Sequence, residues 1–445
     1  MNEICKNNEY KLIFCVFECY IIYERRGGGH MLLQFNVTNY MSYKNEVILS
    51  LLAGKDKEHE DILFEYGKDR IVPTLSIYGS NASGKTNIFK ALNFAVMFVR
   101  NSNFYQIDNL INVVPFLLDY ESKLKKSRFD FIYLFEGVKY EYGFVVDSKN
   151  VYEEYLYEYR SQRPSMIFER ENVSEYKFST ATRKELSAIV DKNTNNKLFL
   201  STATAWNALS TRKAYMWFSS YIDTYDSESL ENGFVSTLEM NNDSEMKTFM
   251  KSMLRNADIN ISDYDFEIRN GKLESLPLPD GVRFDESVIE QLKQNLKEWK
   301  LETHHKVLID NEERDFVLPL LNESKGTINF LYMGPIIKKT LQLGKTMVID
   351  EIDSGLHPSL VRYLIELFHD KKTNPNGAQL VFNTHDVTQL DLGVFRRDQI
   401  YFAEKDNSTG ISDLYSLDEY APRKTENIQK GYLQGRYGAI PTIVF

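Results

Sequence analysis

The octapeptide Gly79-Ser80-Asn81-Ala82-Ser83-Gly84-Lys85-Thr86 carries two glycines five apart, followed by Lys and Thr, which is the P-loop spacing. Its surroundings agree with that spacing. Residues 71–78, IVPTLSIY, form an apolar, β-branched run that reads as a buried strand, and a helical apolar pattern runs from Asn87 to about Val99. Glycines let backbone N–H groups converge on phosphate oxygens, and a helix that starts there adds the positive end of its dipole. Lys85 then reaches the β- and γ-phosphates, and the Thr86 hydroxyl ligates Mg²⁺. Gly79, Asn81, Ala82, Ser83, Gly84, Lys85, Thr86 and Asn87 are therefore the candidate residues around ATP.

Further along the chain, Met347-Val348-Ile349-Asp350-Glu351 is an apolar strand ending in two carboxylates. Beside a P-loop, the first acid can hold the Mg²⁺ shell and the second can polarise the attacking water, which assigns Asp350 to the metal and Glu351 to catalysis. A further strand, Gln379-Leu380-Val381-Phe382-Asn383, runs into Thr384-His385-Asp386, where His385 is placed for a γ-phosphate contact. Asn322-Glu323-Ser324-Lys325-Gly326-Thr327 is a Ser/Gly turn opening a helix; it reads first as an N-cap and also as an anion site. No role is derived for His357.

The pattern from residue 327 alternates helix and strand: a helix over 327–342, a strand at 346–350, a helix at 358–369 and a strand at 379–383. Strands separated by helices imply parallel pairing in an α/β sheet. Residues 31–51 read as a hairpin, and 128–135, 139–146 and 150–159 read as an antiparallel meander with Glu136-Gly137 as a tight turn. The many Tyr and Phe of the meander are assigned to sheet packing rather than to base stacking. Residues 183–310 show mostly helical patterns, as at 245–256 and 286–300, and are expected to form a helical insertion without a sustained heptad register. The expected organisation is an extension at 1–30, a first lobe at 31–182, the insertion at 183–310 and a second lobe at 311–445.

The 445 residues are 43% hydrophobic and 26% charged, the composition of a chain that buries a core. Formal net charge is −10, from 53 Lys+Arg against 63 Asp+Glu, which excludes a globally basic nucleic-acid coat and leaves only local contacts. The three cysteines are Cys5, Cys15 and Cys19, so neither a disulfide framework nor a Cys-rich zinc site is expected in the body, and a reducing cytoplasm fits. The apolar run at 11–23 contains Glu18 and is short of the roughly 20 residues of a spanning helix, so no membrane partner is expected. Residues 1–30 read as a peripheral extension before a compact domain that starts near Met31.

Taken together, GSNASGKT, the reduced signature ESKGT, VIDEIDSGLHPSL and FNTHD resemble the ATPase heads of the ABC/SMC superfamily. The resemblance is to the OLD-like AAA-type ATPases of bacterial abortive-infection and anti-phage systems, including PARIS- and Septu-type subunits. It covers residues 31–445 and extends to the closing segment RRDQIYFAEKD and YLQGRYGAIP. It implies a P-loop NTPase with an antiparallel β subdomain and an inserted helical domain. It also implies a head-to-tail ATP sandwich, in which Ser324 and Gly326 of one subunit cap the nucleotide of another. Glu351 would be the catalytic base, His385 the γ-phosphate sensor and Asp353 the link between the two sites. The signature departs from the LSGGQ type, and no Q-loop glutamine is evident after the P-loop helix. The 60 residues after His385 are too few for the Toprim nuclease that follows the ATPase in OLD nucleases, so the expectation is a subunit that controls a separate effector, a nuclease or toxin. The alternative is an SMC-like DNA-binding ATPase of repair or chromosome maintenance. Its candidate contacts are Lys123, Lys125, Lys126 and Arg128, together with Arg423, Lys424, Lys430 and Arg436. A transporter subunit would need the missing Q-loop and the full signature.

Overall fold

Parallel pairing brings the strands that precede each motif into one six-stranded sheet. In the computed structural model, which describes residues 11–14, 29–226, 228–270 and 296–441, the spatial order is Ile222–Tyr225, Thr346–Ile349, Gln379–Asn383, Thr74–Tyr78, Ile400–Lys405 and Ser412–Ser416. All neighbours are parallel except the last pair. The strands at Thr74–Tyr78, Thr346–Ile349 and Gln379–Asn383 are buried along their whole length, which explains their continuous apolar sequences. Because they run the same way, Gly79, Asp350 and Thr384 all leave the sheet at one edge, where an open α/β sheet places its ligands.

A seven-stranded antiparallel sheet belongs to the same compact unit. It runs from Glu175–Phe178 through Ser165–Glu171, Val151–Tyr159, Val138–Val146, Ser127–Phe135 and Leu32–Thr38 to Val47–Ser50. Glu136 and Gly137 both have positive φ, 48° and 70°, and close the tight hairpin expected of them. The aromatic residues are core: Phe129, Phe131, Tyr133, Tyr142 and Phe144 are buried. Tyr133 stacks on Trp217 with ring centroids 4.3 Å apart, and Phe131 meets Phe218 edge-on at 5.0 Å.

Those contacts revise the boundaries drawn from sequence. The helix Leu209–Ser220, which carries Trp217 and Phe218, packs on the meander, and Ile222–Tyr225 is an edge strand of the parallel sheet. Asp223 anchors that strand through Arg100 at 3.1 Å and through Lys345. Residues 183–226 therefore belong to the same unit as the P-loop. The second unit comprises residues 227–339 and 354–360, with the strand Lys11–Phe14. It is not purely helical. Helices Ser229–Asn241 and Ser244–Asn256 accompany a sheet made of Lys11–Phe14, Asp263–Asn270, Leu296–Ile309 and Glu312–Pro319. The expected helix at 286–300 falls outside the described residues up to 295 and is strand from Leu296 onward. Trp299, Leu301 and Thr303 alternate inward with a period of two. Lys11–Phe14 pairs with Leu296–Trp299, so this part of the expected peripheral extension is a strand of that sheet.

The helix Pro358–His369 ends in a half-buried histidine with a consequence for stability. His369 Nε2 lies 2.7 Å from Thr74 Oγ1 and 3.3 Å from Gln399 Nε2, and burial pulls its pKa down to about 4. An unfolded histidine titrates near 6.5, so between pH 6.5 and 4 the unfolded chain binds more protons than the native one. Stability is thus expected to fall as pH drops through that window, by up to about 1.4 kcal/mol per pH unit from this residue, and to be unaffected by it above 6.5. Urea midpoints at pH 7 and pH 5 check this. His369→Gln should lose less on acidification than the parent chain, and parallel losses would exclude His369 as the source.

Candidate functional site

The P-loop is shaped by close packing as much as by its own backbone. A Cβ at Gly79 would lie 2.3 Å from the Ala403 carbonyl oxygen and 2.6 Å from Ser83 Oγ, so only glycine lets the loop leave the sheet there. Ala82 has φ 61°, and Gly84 is the N-cap of the helix Lys85–Asn101. Gly84 has no side chain to cap that helix, a start suited to phosphate oxygens, and the Asn87 N–H of its first turn donates to the Gly84 carbonyl at 2.9 Å. Two residues outside the motif brace it. Tyr43 Oη donates to the Gly84 carbonyl at 3.1 Å, and Asn87 Nδ2 donates to Ser42 Oγ at 2.7 Å. Neither Ser42 nor Tyr43 is singled out by the motif, since the contact depends on how the hairpin folds over the loop.

Lys85 is buried, 4% exposed, and its ammonium donates to the carbonyls of Gly79 at 2.7 Å and Ser80 at 2.9 Å. Burial lowers its pKa to about 8 against the upward pull of Glu351, Asp350 and Asp353. That is an amine held short of a full counter-charge, suited to receive phosphate. Thr86 Oγ1 donates to Asp350 Oδ1 at 3.3 Å, which brings the two candidate metal ligands together. Burial raises the Asp350 pKa, and hydrogen bonds from Asn383 and Thr86 oppose it. Among the described residues no three His, Cys, Asp or Glu side chains form a cage for a metal. A hydroxyl and one carboxylate are hard oxygen donors that fit Mg²⁺, with water and phosphate oxygens to complete the shell.

Glu351 and His385 stand at the same sheet edge, with Glu351 Oε1 3.9 Å from His385 Nε2. Glu351 has φ 55°, a left-handed conformation that costs a residue with a Cβ about 1–2 kcal/mol. Its N–H donates to Asn383 Oδ1 at 2.5 Å, a bond worth about 0.5–1.5 kcal/mol that offsets much of this. Asn383 Nδ2 donates in turn to Asp350 Oδ1. Sequence reasoning placed Asn383 in the FNTHD motif without giving it a task. Asp353 Oδ2 accepts the main-chain N–H of His385 at 3.2 Å, while its Oδ1 is buried with no hydrogen-bond partner among the described residues.

Ser324 and Gly326 belong to the other unit. Ser324 Oγ accepts the Thr327 N–H at 3.1 Å, the N-cap arrangement, at the start of the helix Lys325–Leu343. A Cβ at Gly326 would sit 2.1 Å from the Gly355 carbonyl oxygen, which gives this glycine a packing reason of its own. Gly326→Ala is expected to lower stability by about 1–3 kcal/mol, because the backbone it meets cannot yield as a side chain would. A melting temperature unchanged or raised, as helix propensity alone would give, would show that the helix has room to shift.

No curated protein matches the chain. Among solved structures it is similar to an SMC head bound to the C-winged helix domain of ScpA, at 13% identity and TM-score 0.43, covering 88% of this chain and 99% of that one. The SMC head domain from Thermotoga maritima follows at 11% identity and TM-score 0.38, with 86% and 98% covered. An SMC head domain with an extended coiled coil, bound to the C-terminal domain of ScpA derived from Pyrococcus furiosus, matches at 10% identity and TM-score 0.36, with 88% and 98% covered. No helix among the described residues is long and apolar enough to cross a membrane. The family model described as "AAA domain, putative AbiEii toxin, Type IV TA system" matches residues 75–391, from the P-loop strand to beyond His385, and the chain belongs to that family of P-loop ATPase domains.

Proposed function

We propose that this chain binds and hydrolyses ATP as the sensor or scaffold subunit of an anti-phage defence system of the OLD-like, abortive-infection kind. In this reading it closes into ATP-sandwich dimers or higher oligomers and controls a separate effector, a nuclease or toxin. The observation that carries the reading is the hydrogen-bonded series Thr86, Asp350, Asn383 and Glu351 at one sheet edge, with His385 3.9 Å from Glu351. The family description, which names a toxin of a type IV toxin–antitoxin system, supports a setting in cellular defence.

The residues divide the work. Backbone N–H groups of the loop between Gly79 and Thr86 and the Lys85 ammonium would hold the phosphates, and Thr86 with Asp350 would hold the cation. Mg²⁺ there would neutralise charge on the β- and γ-phosphate oxygens. Glu351 takes a proton from the attacking water, and His385 donates a hydrogen bond to the γ-phosphate. Asp353, beside His385, and Ser324 with Gly326 would meet the neighbouring subunit across the nucleotide. ATP then biases an oligomer equilibrium by the difference in its affinity for the open and closed states.

The DNA-binding alternative draws less from the structure, because four of its eight basic candidates are paired with acids. Lys125 pairs with Glu121, Arg128 with Asp130, Lys424 with Glu58 and Arg436 with Glu426. Capture from the host with ATP and the Glu351→Gln variant tests the effector reading. A co-purifying nuclease or toxin is the expected outcome. DNA alone, lost at high salt, would replace this reading with the alternative.

A further inference from the structure

We propose that Asn383 is the positioning residue for both acids of the candidate hydrolytic site, orienting the Asp350 carboxylate with its amide N–H and the Glu351 main chain with its carbonyl oxygen. The inference rests on the ATPase reading above and concerns the same site. It follows from strand order. The strand Gln379–Asn383 lies between Thr346–Ile349, which delivers Asp350, and Thr74–Tyr78, which delivers the P-loop. Its last residue is therefore interposed between the acid and the loop, within reach of both neighbours.

Asn383 is fully buried, and both ends of its amide are used. Nδ2 donates to Asp350 Oδ1, and Oδ1 accepts from the Glu351 N–H at 2.5 Å. One planar group thus fixes a side chain and the next residue's backbone together. Asp350 Oδ1 also accepts from Thr86 at 3.3 Å, so the amide sets where that oxygen stands relative to the other candidate metal ligand. Glu351 depends on the same amide for a different reason. Its left-handed backbone is held by a bond of about the same size as the strain it opposes, so without that bond the main chain can relax toward extended geometry. Relaxation swings its carboxylate away from the position 3.9 Å from His385. Asp or Ser at 383 would supply only part of this pairing, because a carboxylate has no N–H to donate and a hydroxyl is too short to bridge both partners.

The test uses the full chain and two variants, Asn383→Ala and Asn383→Thr, with fluorescent ATP binding measured in EDTA and across a Mg²⁺ titration, and with turnover measured at saturating Mg²⁺. In Asn383→Ala, binding in EDTA should stay within twofold, the half-saturating Mg²⁺ should rise about tenfold, and turnover should fall about 100-fold, as expected for misplaced catalytic groups. KM for ATP should change less than threefold. Asn383→Thr, whose hydroxyl can donate to Asp350 but cannot also hold the Glu351 N–H and whose branched side chain suits a strand, should recover only part of that loss, about threefold in Mg²⁺ response. A half-saturating Mg²⁺ within twofold of the parent in Asn383→Ala overturns the proposal. So does an equal loss of EDTA binding, which marks a structural role, and so does a folded threonine variant no better than alanine. If the parent chain shows no turnover at all, the hydrolysis reading fails, and the Mg²⁺ titration of binding still decides the role of Asn383.

Discussion

Glu351→Gln is expected to lower ATP turnover by about 10²- to 10⁴-fold, the range of a removed general base, while ATP binding stays within about twofold. The amide is isosteric with the carboxylate, so the φ of 55° and the N–H bond to Asn383 are retained and only proton acceptance is lost. ATP that binds and is not consumed holds the closed state, and light scattering with ATP should show a larger species that persists in the variant and decays in the parent. Glu351→Gly supplies a second reading of the same position. Glycine tolerates the left-handed region without the Cβ penalty, so this variant should be no less stable than the parent while losing turnover to a similar degree. A site strained for chemistry behaves in this way, whereas a structural acid would lose stability on removal. Undiminished turnover in Glu351→Gln would end the assignment of Glu351 as the base.

The geometry around Glu351 shows what a sequence can and cannot disclose. Thr74–Tyr78, Thr346–Ile349 and Gln379–Asn383 were legible because strands buried on both faces must be apolar throughout, and because each ends in residues with recognisable chemistry. Their order across the sheet was not. Sequence order places the P-loop strand first and Asn383 last, and only the fold puts the last strand between the first and the Asp350 strand. The task given to Asn383 follows from that interposition, so no motif could have announced it. Gly326 illustrates a related limit. Its place in ESKGT suggests an anion site, yet the Gly355 carbonyl oxygen 2.1 Å from where a Cβ would stand is a contact made 29 residues later in the chain.

The unit boundaries failed for a different reason. Helical spacing in 209–220 is real, but it does not say which surface the apolar face will meet, and Trp217 and Phe218 bury themselves on the aromatic meander rather than in an insertion. In 296–303 the alternating signal of Trp299, Leu301 and Thr303 was present, and the lysines and glutamates around it resembled a solvated helix face. Short amphipathic stretches satisfy both periods, and pairing with Asp263–Asn270 and Glu312–Pro319 is what selects the strand.

Lys85→Ala should weaken ATP binding by roughly 10- to 150-fold, the equivalent of about 1.5–3 kcal/mol for a hydrogen bond to a charged group. The environment of this lysine makes a sharper test available through pH. In the nucleotide-free chain its pKa is lowered to about 8, mainly by burial, although three acids pull it upward. Phosphates add the counter-charge that burial denies it, so binding raises the pKa and favours the protonated amine. Below pH 8 the amine already carries its proton, and affinity should be flat with respect to this group. Above pH 8 binding must take up a proton, and affinity should fall by up to tenfold per pH unit. Calorimetry at pH 9 in buffers of different ionisation enthalpy should register that proton, and Lys85→Arg, which stays charged at this pH, should bind without the uptake even where its longer fork binds less well. Equal affinity of the parent chain at pH 7 and pH 9, with no proton taken up, would mean that the Lys85 ammonium stays out of contact with phosphate and remains on the carbonyls of Gly79 and Ser80 when nucleotide is bound.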